Sequence, residues 1–546
     1  MRMKRLIPRL CLLLAAVAGL ACVLLAREET PVLEPSRPSG FYEEPFYLEL
    51  RAPAGEIYYT LDGSVPDRTS TRYTGPIYID DASENENVLS ARTDLDSFED
   101  QYPDIILTVI PKQKVDKATI LRAVHYDTTG LKSGELCLSY FVGFQNKTGY
   151  GDLNIVSVVT DPDNLTDYEN GIFVRGETYD NNIENWGSIR APGNYSNKGS
   201  QWEREAHFSY FDGSGEQLFQ SGCGIRIMGG WHRLSVLKSL NLYAREEYGG
   251  SETFDYDFFD TGLRPHTLTL HSGSNDYYGK IQNLLVSGLT RELDMGTLHY
   301  NVCVLFLNGE YWGIYNLTEK YDGEYLAQTY GVDKNDVLSV KYESLEIGDE
   351  RNMHLFTDAV EFLEQADLTR EENYRHFQEL FDEQSLLDLF ATEIYCARNE
   401  DWPNGNIHMW RTVSTGGKDY ADGRWRYLMY DLDSAGLTEN LITHDTVQTA
   451  MDACPYFASL CRNETFRKKL GANILRIGEN YLSADKVNRC IDAYETRMAE
   501  PMKPYFLRFF DSTPEKFYER LENNRAFFDN RLDAIIPILE QHDMLP

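Results

Sequence analysis

Positive charge is what this chain of 546 residues has least of: 52 Lys and Arg stand against 86 Asp and Glu, a formal net charge of −34. General affinity for nucleic acid or for anionic lipid surfaces draws on an excess of Lys and Arg that releases counterions, so this balance argues against both. Cysteine is scarce too. Of nine, Cys11 and Cys22 fall in a hydrophobic N-terminal run, and the other seven (137, 223, 303, 396, 454, 461 and 490) are scattered without metal-ligand spacing. An odd count so placed is not a disulfide framework. Cys454 and Cys461 are near enough for a local bridge, but small buried thiols are the expected role. Also missing are the Gly-x-Ser-x-Gly elbow and the His-Glu-x-x-His zinc helix, which leaves serine and zinc hydrolysis without their usual residues.

Long apolar runs are confined to one place. Arg2, Lys4, Arg5 and Arg9 precede an uncharged stretch over residues 10–26, which Arg27, Glu28 and Glu29 close. Basic residues ahead of an apolar run mark export, with the basic side held in the cytoplasm. The run is long for a signal-peptide core and short for a spanning helix. Residues 1–26 are therefore read as a cleaved signal peptide or a retained single-pass membrane anchor, and the remainder as extracellular or held at the cell surface. Residues 27–37, rich in Pro and charge, read as a linker.

What the chain does have is length for two or three domains and 36 Tyr and 26 Phe to fill their cores. Short runs of strand composition at 46–50, 57–61, 77–79, 105–110, 120–126 and 136–142, separated by turn residues, predict an all-β, immunoglobulin-like sandwich over residues 38–145. From residue 152 the pattern is mixed. A buried-type strand in LNIVSVVTDPDNL, just after residue 152, and strand-like runs at 202–211 and 222–244 lead to a hairpin in which Asn308-Gly309 is the preferred two-residue turn. Helical spacing appears at Ile281, Leu284, Leu285 and Leu289, then at Phe356, Val360 and Leu363, then at Leu386, Leu387, Phe390 and Ile394, and dominates residues 449–546.

Chemistry concentrates in two places. Residues 397–436 carry Asp401 among Asn399, Asn404 and Asn406 around a Pro-Asn-Gly breaker, then an apolar run ending in Asp431-Leu432-Asp433. Strand alternation puts Asp431 and Asp433 on one face before a Ser-Ala-Gly turn, a way to hold a hard divalent cation, magnesium first. Upstream, Gly229-Gly230 sits beside Arg226, Arg233 and Lys238, a flexible backbone next to three cations, as a phosphate cradle requires.

The stretch EIYYTLDGSVPDRTSTRYTGPIYI resembles the β-sandwich module at the C-terminus of chitobiases and hexosaminidases, with residues 83–117 as an insertion. It is read as a spacer or a weak module touching glycan or cell wall. Further on, IRIMGGWHRLSVLKSLNLYAR, LFLNGEYWGIYNLTEKYD, NEDWPNGNIHMWR and WRYLMYDLDSAG, in this order, resemble the CotH (spore-coat protein H) family of atypical secreted protein kinases.

That resemblance implies an α+β protein-kinase-like domain over residues 152–546, with a motif core at 153–480 and a helical C-terminal lobe, that uses ATP and Mg2+ or Mn2+. It implies that Lys238, oriented by Glu319, neutralises the α- and β-phosphates, that Arg226 and Arg233 add phosphate contacts over Gly229 and Gly230, that Asp401 serves the acceptor hydroxyl or the metal, and that Asn406, Asp431 and Asp433 bind metal. One departure stands out: where the family's helix after residues 274–276 carries an arginine, this chain has Gln282-Asn283. The expected activity is transfer of the ATP γ-phosphoryl group to Ser or Thr of secreted or surface proteins. The rivals are another transfer on the same fold, AMPylation or glutamylation, and a non-catalytic surface scaffold.

Overall fold

The computed structural model describes residues 33–97, 107, 109–144, 147–187, 190–399, 402–434 and 437–545. The expected signal or anchor at 1–26 lies outside them. Among the described residues no helix is long and apolar enough to cross a membrane.

Alternation organises the N-terminal region. In Phe46–Leu48 and Ile77–Ile79 the outer residues are buried and the central Tyr47 and Tyr78 are exposed. These two strands pair with each other, and their buried side chains meet Leu121, Ala123, Leu138 and Tyr140 of a five-stranded sheet in one core. That sheet runs in the spatial order Gly40–Tyr42, Lys132–Val142, Thr119–Asp127, Gly55–Thr60, Thr71–Arg72. The insertion at 83–117 leaves this core. Its Leu89, Leu95 and Val115 belong to the core of the following domain, where Glu310 accepts from the amides of Val88, Leu89 and Ser90. The strand expected at 105–110 lies partly outside the described residues, and 107, 109 and 110 carry no strand.

The second region is built on a closed barrel of seven strands. In spatial order they are Asn154–Val159, Arg204–Phe211, Gln217–Met228, Ser239–Ala244, Thr267–His271, Glu310–Glu319 and Tyr300–Leu307, closed by parallel pairing of the first with the last. Every residue of Ser239–Ala244, Thr267–His271 and Glu310–Glu319 is buried, the polar Asn241, His271, Asn316 and Glu319 included. The hairpin turns where expected: Asn308 (φ 45°) and Gly309 (φ 82°) both take the left-handed backbone that a tight two-residue connection needs.

A four-stranded sheet follows, in the order Ser344–Ile347, Val337–Lys341, His408–Thr412, Arg426–Leu428. Helices back it. Glu383–Tyr395 is buried from Ser385 onward and packs on Glu464–Asn480, whose Phe466, Leu470, Ile474 and Ile477 form the inward stripe. Ala484–Met498, Met502–Phe510 and Glu515–Gln541 complete the C-terminal helical layer. The seven cysteines described are all unpaired, five of them buried.

Candidate functional site

A cavity of about 1190 Å³ opens between the barrel rim, the four-stranded sheet and the acidic segment. Its wall includes Gly229, Gly230, Arg226, Glu319, Lys320, Lys341, His271, Asn406 and Asp431.

The acidic segment is not the strand that alternation predicted. Arg426–Leu428 ends three residues before Asp431, Asp431 itself adopts φ 64°, and Leu432–Ser434 forms a single tight turn. The two aspartates converge through this turn instead: ligand atoms of His271, Asp431 and Asp433 all lie within 4.8 Å of one another. Two contacts hold the turn. Asn283 Oδ1 accepts from Leu432 N–H at 2.8 Å, and Arg398 Nη1 donates to the Tyr430 carbonyl at 2.9 Å. Asn283 is thus a positioning residue for the acids. Its helix, Gln282–Leu289, is in turn fixed by Asp276, whose Oδ2 accepts from Ile281 and Gln282 N–H.

Asp433 is 2 % exposed, and neither of its carboxylate oxygens has a hydrogen-bond partner. Burial, and then the charge of Asp431, push its pKa well above the usual carboxylate range. For Asp431 burial also acts upward, but the charges of Arg398, His271 and Lys341 outweigh it and hold the group below its ordinary value. The two shifts run in opposite directions, because neighbouring carboxylates in a desolvated site are costly to charge together without a cation. Asn406 Nδ2 donates to Asp431 Oδ2 at 2.8 Å. His271 Nδ1 accepts from Gly273 N–H at 3.2 Å, and Nε2 stands 3.9 Å from Asp433 Oδ2. Two carboxylates, one of them desolvated and unpartnered, with an amide beside them, fit a hard divalent cation. Asp401 lies outside the described residues.

The glycine loop is placed as a cradle would be. Gly229 has φ 106°, and a Cβ at either Gly229 or Gly230 would meet no atom within 4 Å, so the backbone itself faces the cavity. Its cations are largely committed. Arg233 is buried and clamps the loop, donating to Gly229 O (2.6 Å), Ile227 O (2.6 Å), Asn197 O (2.9 Å) and Tyr195 O (3.1 Å). Arg226 reaches the cavity but stacks on Tyr243 at 3.9 Å and pairs with Glu203 at 3.2 Å.

Lys238 is not brought to the cavity, and the phosphate role read for it does not fit its geometry. Its ammonium is fully buried and donates to Leu95 O (2.6 Å), Ser235 O (2.6 Å) and Arg233 O (2.9 Å). Glu319 does not meet it either: its carboxylate accepts from His299 Nδ1 at 2.7 Å and His299 N–H at 2.8 Å. Sequence reasoning missed His271, Lys341 and Arg398, and noticed Asn283 only as part of the Gln282-Asn283 departure. A lone His after a strand, or a lone Lys at the end of one, gives no spacing signal. Arg398, three residues before Asp401, lay within the stretch that drew notice.

Residues 225–535 match the family model described as CotH kinase protein, and residues 37–93 match the chitobiase/beta-hexosaminidase C-terminal domain. No curated protein matches the chain. Because the first match spans more than half of the 546 residues and takes in the glycine loop, the hairpin and the acidic turn, the chain belongs to the CotH kinase protein family.

Proposed function

We propose that the protein is an exported or surface-anchored kinase that moves the γ-phosphoryl group of ATP onto Ser or Thr of secreted or surface proteins. In this reading the N-terminal module is an immunoglobulin-like sandwich, and residues 152–546 form an atypical protein-kinase-like domain in which the barrel takes the place of the N-lobe and the helices that of the C-lobe. The observation that carries the proposal is the buried Asp433 carboxylate, without a hydrogen-bond partner, next to Asp431 at one end of a cavity large enough for a nucleotide.

Asp431, Asp433 and Asn406 would hold Mg2+ or Mn2+, which supplies the positive charge that phosphoryl transfer needs at the β- and γ-oxygens. The chain's own residues do the rest. Gly229 and Gly230 present open backbone to the phosphates, and Arg233 keeps that loop in place through four carbonyls. Arg398 holds the carbonyl ahead of Asp431 and keeps Asp431 ionised. Asp401 is assigned to the acceptor hydroxyl or to the metal. The N-terminal module serves as a spacer, or touches glycan through its outward tyrosines.

The test is label transfer from γ-labelled ATP to a generic acceptor protein with Mg2+ or Mn2+. Asp431→Asn and Asp433→Asn are each expected to cut transfer by roughly a hundredfold or more, as loss of a charged group acting in the transition state does. Label arriving from α-labelled ATP would make the enzyme a nucleotidyl transferase. A chain that neither binds ATP nor transfers label would be a scaffold.

A further inference from the structure

Phosphates need a cation, and the cavity's charges single one out. Among the cations near it, Arg233 and Lys238 are bound up with main-chain carbonyls, Arg226 with Glu203, and Arg398 with Glu393 and the Tyr430 carbonyl. Lys280, behind His271, is buried against Ser272 O and does not face the cavity. Three lysines line the cavity, Lys198, Lys320 and Lys341. Of these Lys198 is exposed on the solvent side, next to Asn197 at the loop that Arg233 grips. Lys320 follows Glu319 and lies 6.0 Å from the Tyr243 ring, at the end where Arg226 already stacks. Lys341 lies beside the acidic turn. Its Nζ sits 3.6 Å from the centroid of Tyr430, the residue directly before Asp431, and it forms neither a hydrogen bond nor an ion pair with any described residue.

We propose that Lys341 is the residue that binds the phosphate oxygens of the nucleotide, the task its family motif points to in Lys238. Lys341 is the last residue of Val337–Lys341, a strand paired on both sides, to Ser344–Ile347 and to His408–Thr412. Its backbone is therefore fixed, and the Tyr430 ring fixes the end of its side chain, so little freedom is lost when it meets a ligand. Burial lowers its pKa and Asp431 opposes that, as fits an ammonium drawn into the site beside the acids. A phosphate oxygen between Lys341 and a cation on Asp431 and Asp433 would be neutralised from two sides.

The proposal rests on the nucleotide reading of the cavity, so the test measures binding rather than turnover. The full chain is titrated with ATP and with adenosine, with and without Mn2+. Lys341→Met keeps the aliphatic stem over Tyr430 and removes the charge. It is expected to weaken ATP roughly tenfold or more and to leave adenosine within about twofold, because a charged hydrogen bond to phosphate is lost and nothing else. Lys341→Arg should recover part of the ATP affinity, and Lys334→Ala, an exposed lysine paired with Glu324, should change neither ligand. Wild-type ATP affinity in Lys341→Met, or equal loss of ATP and adenosine, overturns the assignment to Lys341 while the nucleotide site stands. A wild-type chain that binds no ATP overturns the nucleotide reading, and this assignment with it.

Discussion

Lys238 shows what a single residue can hide. Next to Gly229-Gly230 in the sequence it looks like a ligand for phosphate, yet one of the three carbonyls that cage it is Leu95 O, 143 residues earlier. No local pattern reports a contact of that span, whereas Gly229 and Gly230 were legible because an open backbone needs no distant partner. Burial pushes the Lys238 pKa down to about 7, against the pull of Asp96, and the ammonium also sits 4.1 Å from the Tyr195 ring. Its role here is structural: it ties the insertion to the loop that enters Ser239–Ala244. Lys238→Met should therefore cost stability, about 3 kcal/mol for three carbonyls left without a donor, read as a lower urea midpoint at pH 7. The ATP affinity of the folded fraction should change less than it does in Lys341→Met. A large loss of affinity with an unchanged midpoint would return the phosphate role to Lys238.

Elements were more legible than residues where one physical signal dominated. The Asn308-Gly309 hairpin followed from turn chemistry, and the helix Glu383–Tyr395 from its apolar residues. The Asp431 segment was misread because its composition is that of a strand, while its shape is set by Asn283 and Arg398, which belong to other elements. The strand Arg204–Phe211 makes a point about pH. His207 on it is partly buried under the N-terminal module, and burial first, then the charge of Arg122, lowers its pKa to about 4. Arg122 is itself fixed by Gly63 O at 3.2 Å and Glu135 at 3.4 Å, so it cannot swing away. In the unfolded chain His207 takes up a proton near pH 6.5, but in the folded chain it does so only near pH 4. The unfolded state thus binds more protons across that window, and the contribution to stability falls as pH drops from about 6.5 to 4. Between pH 7 and 5 the loss should be about 1–2 kcal/mol. His207→Asn should flatten the fall in urea midpoint over that interval by the same amount, and an unchanged slope would mean that His207 is protonated in the native state.

At the scale of the whole molecule, the family match and the folding unit do not coincide. Residues 225–535 begin inside the strand Gln217–Met228, so they leave out Asn154–Val159 and Arg204–Phe211, the two strands that close the barrel onto Tyr300–Leu307. They also leave out Leu539 and Met544, which are buried in the core, Met544 directly against Gly471. A barrel missing two of seven strands exposes paired edges and one wall of its core, so a chain of residues 225–535 should not fold cooperatively. The N-terminal module shares the main core, through Ile120, Phe141 and Phe144. Residues 147–545 keep every barrel strand and every helix described here, yet lose the amides of Val88, Leu89 and Ser90 that cap Glu310, the Leu95 carbonyl on Lys238, and the apolar side chains of Leu89, Leu95 and Val115. The cut also removes Ala118, Ile120, Phe141 and Phe144 from the same core, so with the uncapped carboxylate the loss amounts to at least several kcal/mol, about 10 in order of magnitude. Residues 33–545 should unfold in one cooperative transition, 147–545 at a clearly lower midpoint with exposed hydrophobic surface that binds a dye such as ANS, and 225–535 without a transition. Equal midpoints for the first two chains would show that the module is only carried along, and that the cavity beside Asp431 and Asp433 stands without it.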